Sequence, residues 1–144
     1  MEKLQGQLEQ IDESLKADKL EPVIKGQADN LRERIQEKAP VGPTGNLKRS
    51  VVSKLMPRRE GYPTIAIVGI DYKFGHHAYM VEYGTSVRYP KKKKAMYIKA
   101  FDQFAKRIEP MPRHPFFRPA VMEMKDTIKS NIRDALEDLV EKAV

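Results

Sequence analysis

Two stretches with a helical apolar rhythm bracket a middle that cannot be helical throughout, and this arrangement limits the possible folds more than any other feature. Ile24, Ala28, Leu31 and Ile35 recur at spacings of four, three and four, which lines one face of a helix. From Phe117 onward, Val121, Met124, Ile128, Ile132, Ala135, Leu136, Leu139 and Val140 keep the same spacing. Between them lies the turn cluster Val41-Gly42-Pro43-Thr44-Gly45-Asn46, too rich in Gly and Pro for regular structure. Beyond it, Leu47 to Leu55 and Thr64 to Ile70 carry the β-branched residues of strands, joined through Arg59 to Pro63, and a third strand is expected over Ala78 to Tyr83. The expected fold class is α+β: a small antiparallel sheet packed by N-terminal and C-terminal helices.

An earlier stripe, Leu4, Leu8, Ile11 and Leu15, repeats the helical spacing. Pro22 would break a helix interior but is tolerated in a first turn, with Asp18 as N-cap. Two helical segments are therefore expected, Glu2 to Ala17 and Lys19 to Lys38, the first needing a partner because a lone short helix in water is marginal. Pro119 falls in the opening turn of the last helix, where its missing N–H is harmless. Residues 1–38 and the α+β core 39–144 read as parts of one domain.

The 144 residues suffice to bury about two-thirds of the unfolded surface without a staple. Cysteine is absent, which removes thiolate metal sites, thiol nucleophiles and disulfides together. No apolar run approaches the roughly 18 residues of a membrane span, and Met1-Glu2-Lys3-Leu4 does not open a signal peptide's apolar core. A soluble, cytoplasmically made protein is expected. Its formal net charge of +7 calls for an acidic partner, nucleic acid or protein.

Gly42 to Ser50 contains glycines, a lysine and a serine, but not the Walker spacing, and no strand precedes it. Its glycines suit a turn needing positive φ. Glu82, in Val81-Glu82-Tyr83-Gly84-Thr85-Ser86, would point away from Val81 and Tyr83 in a strand. It is best placed to accept hydrogen bonds from backbone amides or Ser/Thr hydroxyls and to fix the Gly84 turn. His76 and His77 would point apart in a strand and could not chelate together without a bulge. In His114-Pro115-Phe116-Phe117-Arg118-Pro119-Ala120, Pro115 favours an extended entry. Phe116 or Phe117 would seat the helix on the sheet, and the fork of Arg118 suits a carboxylate on Glu82 or on a neighbouring subunit. Without a Gly-x-Ser-x-Gly elbow, a cysteine or a Ser-His-Asp set, the expectation is no enzyme, no catalytic residues, no metal and no cofactor.

The ordered set formed by Pro43 to Ser50, Val81 to Ser86 and His114 to Ala120 resembles the head–tail joining family of long-tailed bacteriophages, also called tail-completion, neck or minor tail-component proteins. The resemblance covers roughly Ala39 to Val121. It implies a structural virion protein of a phage or prophage, made in the host cytoplasm and placed at the head–tail interface. Such a protein would assemble as a ring, with six subunits the working case, between connector and tail neighbours. It would use no cofactor, contact no membrane and read no DNA sequence. Gly45, Asn46, Glu82, Gly84, Thr85, Phe116, Phe117 and Arg118 would be its loop and interface determinants.

Residues 87–113 depart from that family's shorter link. They hold Arg88, Lys91, Lys92, Lys93, Lys94, Lys99, Lys106, Arg107 and Arg113 among Tyr89, Tyr97, Phe101 and Phe104. Bases interleaved with aromatics can bind nucleic acid, so a nucleic-acid-binding domain, with or without nuclease activity, is the alternative; a ribonuclease using His114 is a third. Against both, Met96, Ala100, Phe104 and Ile108 are spaced by four and predict an amphipathic helix with core-facing aromatics. Six copies would carry about +42, six times the formal +7, against about 18 phosphates in about 30 Å of enclosed duplex. Lys91 to Lys94 are therefore expected to face outward or to meet an acidic neighbour, not to line the channel.

Overall fold

The computed structural model describes residues 4–6, 8–9, 17–57, 63–91, 94–99 and 102–142. The helix expected over Glu2 to Ala17 lies mostly outside them, although Leu4–Gly6 and Leu8–Glu9 are helical. Helix α1, Ala17–Lys38, forms where the four-three-four stripe predicts. It starts two residues earlier than expected, so Asp18 lies inside it and Pro22 falls in its second turn. The Ala39 N–H closes the last turn on the Ile35 carbonyl at 2.9 Å before Pro40 ends it.

Leu47 to Ser50 is helical, not extended as expected. The short helix α2, Asn46–Ser50, exists because Leu47 and Ser50, three residues apart, both face inward and are buried. The Ser50 hydroxyl donates to the Leu47 carbonyl at 2.6 Å. Strand β1, Val51–Leu55, then pairs antiparallel with β2, Ala66–Ile70, from Val51 opposite Ile70 to Leu55 opposite Ala66. Of the connection expected over Arg59 to Pro63, all but Pro63 lies outside the described residues.

The third expected strand is also a helix. Asp71 caps α3, Tyr72–Gly75, by accepting the Lys73 N–H at 3.0 Å, and α4, Ala78–Tyr83, follows. Tyr79, Val81 and Tyr83 alternate as a strand would, but burial decides otherwise. Ala78 and Glu82, four apart, are buried, while Tyr79 and Tyr83, also four apart, are exposed.

The helix expected over Met96 to Ile108 is instead a hairpin of β3, Met96–Ile98, and β4, Gln103–Ala105. Asp102, at φ 50° beside β4, is incompatible with a continuous right-handed helix. The hairpin's aromatics face outward: Tyr97 stands opposite Phe104, with exposures of 53% and 74%. Reciprocal Arg88–Ile108 backbone bonds of 3.0 and 2.9 Å close its base.

Helix α5, Phe117–Glu141, runs antiparallel to α1. Lys38 and Arg34 meet Glu123 near one end, and Asn131 donates to Gln27 farther along. The architecture is thus α+β, with the long α1 and α5 packed against small two-stranded antiparallel sheets. Ile35, Ala39, Leu47, Val51, Ala78, Phe116 and Ala120 form the buried core where α1, α2, β1, α4 and α5 converge. Among the described residues, no helix is long and apolar enough to cross a membrane.

Candidate functional site

A helix leaves its first four N–H groups without intrahelical partners. Helix α5 has no side-chain cap of its own, since Phe116 occupies the N-cap position. Glu82, 34 residues earlier and on α4, takes that role. Its Oε2 accepts the Phe116 and Phe117 N–H groups at 2.8 and 2.9 Å, and its Oε1 accepts that of Arg118 at 3.0 Å. The fourth position is Pro119, which has no N–H to satisfy. All four positions are therefore accounted for by one carboxylate and one proline.

Burial pushes the Glu82 carboxyl upward, because charge is costly away from water. The three amides, helped by the positive charge of Arg118, outweigh that burial and hold its pKa below the ordinary value. Glu82 is accordingly an ionised structural acceptor with both oxygens engaged. The expected Glu82–Arg118 relation exists through the arginine's backbone N–H rather than through a fork, and Glu82 fixes the start of α5 rather than the Gly84-Thr85-Ser86 turn.

That turn is held separately. The His114 N–H donates to the Val81 carbonyl at 2.8 Å, and Thr85 and Met111 exchange bonds of 3.0 Å through the Thr85 N–H and its hydroxyl oxygen. Gly84 sits between them at φ 74°, where a Cβ would come within 2.8 Å of the Met111 carbonyl oxygen. Glu82, Gly84, Thr85, Phe116, Phe117 and Arg118 thus form one lock. Phe116 fills its base at 1% exposure.

Gly45 and Asn46 reach this lock only indirectly, through the helix they start. Gly45 adopts the left-handed conformation at φ 62°, and the Asn46 N–H lies 3.4 Å from the Thr44 hydroxyl. Leu47 then enters the shared core, and the Ser50 carbonyl accepts the Asp71 N–H at 2.7 Å. Gly75 packs so closely here that a Cβ would lie 2.4 Å from the Ser50 hydroxyl oxygen.

Beside the lock lies an open groove of about 350 Å³, lined by Ile70, Tyr72, Tyr79, Tyr83, Phe117 and Arg118 among others. Tyr72 and Tyr79 are 80% and 72% exposed. Tyr79 and Tyr83 meet at a tilt of 44° with centroids 4.7 Å apart, and Tyr72 meets His76 edge-on at 6.2 Å. This tyrosine face was missed from the sequence. Its signal was present: Tyr72, His76, Tyr79 and Tyr83 are spaced four, three and four, a helical stripe obscured by the strand assignment.

The remaining candidates stand apart from the lock. Lys91 and Lys94 are exposed, while Lys92 and Lys93 lie outside the described residues. His76 and His77 occupy the turn between α3 and α4, ring to ring at 5.3 Å, and not a strand. Among the described residues, no group of three or more His, Asp or Glu side chains is placed to hold a metal ion. No protein-family model matches the chain, and neither a curated protein nor a solved structure is significantly similar to it.

Proposed function

We propose that this chain is a head–tail joining or tail-completion component of a long-tailed bacteriophage or prophage, a structural protein that works as part of a ring. The observation that carries the proposal is the convergence of the three resembling segments. Leu47 and Ser50 from the first, Glu82 and Gly84 from the second, and Phe116 to Arg118 from the third build one contiguous unit. They are also adjacent to a tyrosine face that the core does not use. In this role the protein acts by surface complementarity: a rigid lock holds α4 and α5 in register, and the exposed aromatics meet the neighbouring subunit or ring. Glu82 and Phe116 position this surface, and Lys91 to Lys94 face an acidic neighbour. The mass of the purified protein, measured by light scattering and native mass spectrometry with and without portal-side and tail-side proteins, tests this. Discrete closed oligomers are expected, and a persistent monomer in every mixture overturns the proposal.

Nucleic-acid binding is favoured by a different observation. The aromatics expected to face the core lie outside it, with Tyr97 and Phe104 5.2 Å apart on a hairpin flanked by Lys99 and Lys106. Exposed rings among bases form a stacking platform. Fluorescence anisotropy with a labelled single-stranded oligonucleotide and a duplex at two salt concentrations decides between the two. Salt-sensitive binding by the isolated chain that disappears on Lys94→Glu and Phe104→Ser supports this second function; no binding at low salt removes it.

A further inference from the structure

Two surfaces exposed among the described residues complement one another. The first is the start of the chain, where Leu4 and Leu8 lie on helical turns with exposures of 66% and 59%. Residues 1–18 set Glu2, Glu9, Asp12, Glu13 and Asp18 against Lys3 and Lys16, an acidic segment in a chain of net charge +7. The second is the groove of Tyr72, Tyr79, Tyr83 and Phe117, an apolar trough with Arg118 on its lining. Its one lining carboxylate, Glu82, is fully occupied by the start of α5.

The fold keeps these surfaces apart within one molecule. Lys38 meets Glu123 at 2.8 Å, so the C-terminal end of α1 lies beside the first turns of α5, which line the groove. Ala17 is at the other end of the 22-residue α1, about 30 Å away at the helical rise. Sixteen further residues with that rise would span about 24 Å and fall short of the chain's own groove. Reaching it with Leu4 and Leu8 still on one helical face would take residues 10–16 at nearly full extension, about 23 Å, which the neighbouring copy's groove does not require.

We infer that the N-terminal segment of one copy docks Leu4 and Leu8 into the tyrosine groove of the next copy, its acidic residues facing Arg118. The contact is head-to-tail, because two different surfaces meet, and repeating it builds a ring if the rotation closes. It deepens the ring proposal by naming the interface, and the test separates the two.

Sedimentation velocity and native mass spectrometry are run on the full chain, on Leu4→Glu/Leu8→Glu and on Tyr79→Glu, with circular dichroism to establish that both variants are folded. The wild type is expected to associate beyond a dimer, more strongly at low than at high salt, and each variant to associate at least about tenfold more weakly. Mixed in equal amounts, the variants retain one good segment and one good groove between them, so they are expected to form a heterodimer and stop there. Wild-type rings that survive both variants would overturn this interface and leave the ring proposal standing. Failure of the folded variants to pair, or a wild type monomeric up to about millimolar concentration, would overturn the inference. A peptide of residues 1–18 titrated into the full chain gives a second readout. Saturable binding abolished by Leu4→Glu/Leu8→Glu in the peptide is expected, and no binding counts against the inference.

Discussion

The lock around Glu82 and the β3–β4 hairpin lie within a few residues of each other along the chain, yet they hold their side chains in opposite ways. In the lock, a carboxylate serves three backbone amides, a glycine admits a close chain crossing, and Phe116 is buried beneath. In the hairpin, three residue pairs carry two rings into solvent, above a base of two Arg88–Ile108 bonds. Folding buries the charge and the aromatic ring of the first region but leaves the two rings of the second largely in solvent. A charged or aromatic residue in a motif is therefore not by itself a functional residue, since the fold alone explains Glu82 and Phe116.

The contrast breaks first at Phe116. Phe116→Ala should cost about 3–5 kcal/mol by emptying the meeting point of α1, α4 and α5, measured by urea denaturation. A cost below about 1 kcal/mol would mean that the lock is not a stability centre. Glu82→Ala comes next, at about 2–4 kcal/mol, because it strips three amides at the start of α5 of their acceptor. Glu82→Gln should lose less, since one amide oxygen still accepts. The same residue sets a pH signature. With its folded pKa depressed, Glu82 contributes its full stability above the ordinary value of 4.5, and the contribution fades as pH falls through the lower folded value. Urea midpoints between about pH 2.5 and 6 should thus fall toward acid in the wild type. Glu82→Gln should flatten that slope, and an unchanged slope would mean that other carboxylates carry it.

The legible parts of the fold were those where local pattern and tertiary demand agree. Ile24 to Ile35 and Val121 to Val140 turn inward the stripe that their spacing describes, buried at Ala28 and Ile35 and half-buried elsewhere, so both long helices could be read directly. The backbone-acceptor role of Glu82 was legible only through the resemblance of its motif, and its distant partner on α5 was not legible at all. Where the residues at 79, 81 and 83 are β-formers on a six-residue helix, local preference pointed one way and the inward pair Ala78 and Glu82 decided the other. In the basic insertion, the spacing of Met96, Ala100, Phe104 and Ile108 matched a helix by coincidence. Nothing in those letters announced a turn through Asp102. The tyrosine groove is hidden for the same reason: as a strand, 78–83 presents no helical stripe of tyrosines.

Gly84→Ala sharpens the comparison at intermediate size. The substitution meets both a positive φ and the Met111 carbonyl oxygen at 2.8 Å, and should cost about 1–3 kcal/mol. Hydrogen exchange should locate the loss at the His114 and Thr85 amides before it spreads to α1. Global loosening without that local signature would mean that the crossing is not what makes glycine necessary.

The smallest expected effect is the most discriminating. Tyr97→Ser/Phe104→Ser removes a cross-strand ring pair and the bond from the Tyr97 hydroxyl to Asp102. Because both rings are largely exposed, the double change should lower stability by less than about 1 kcal/mol, read from the same urea midpoints. If the cost matches that of Gly84→Ala, the hairpin belongs to the folding unit and its aromatics are engaged as Phe116 is. If stability is nearly untouched while association with an acidic neighbour or with nucleic acid weakens, the two regions divide the labour of the chain. The lock then sets the geometry, and the hairpin, with residues the fold does not need, selects the partner.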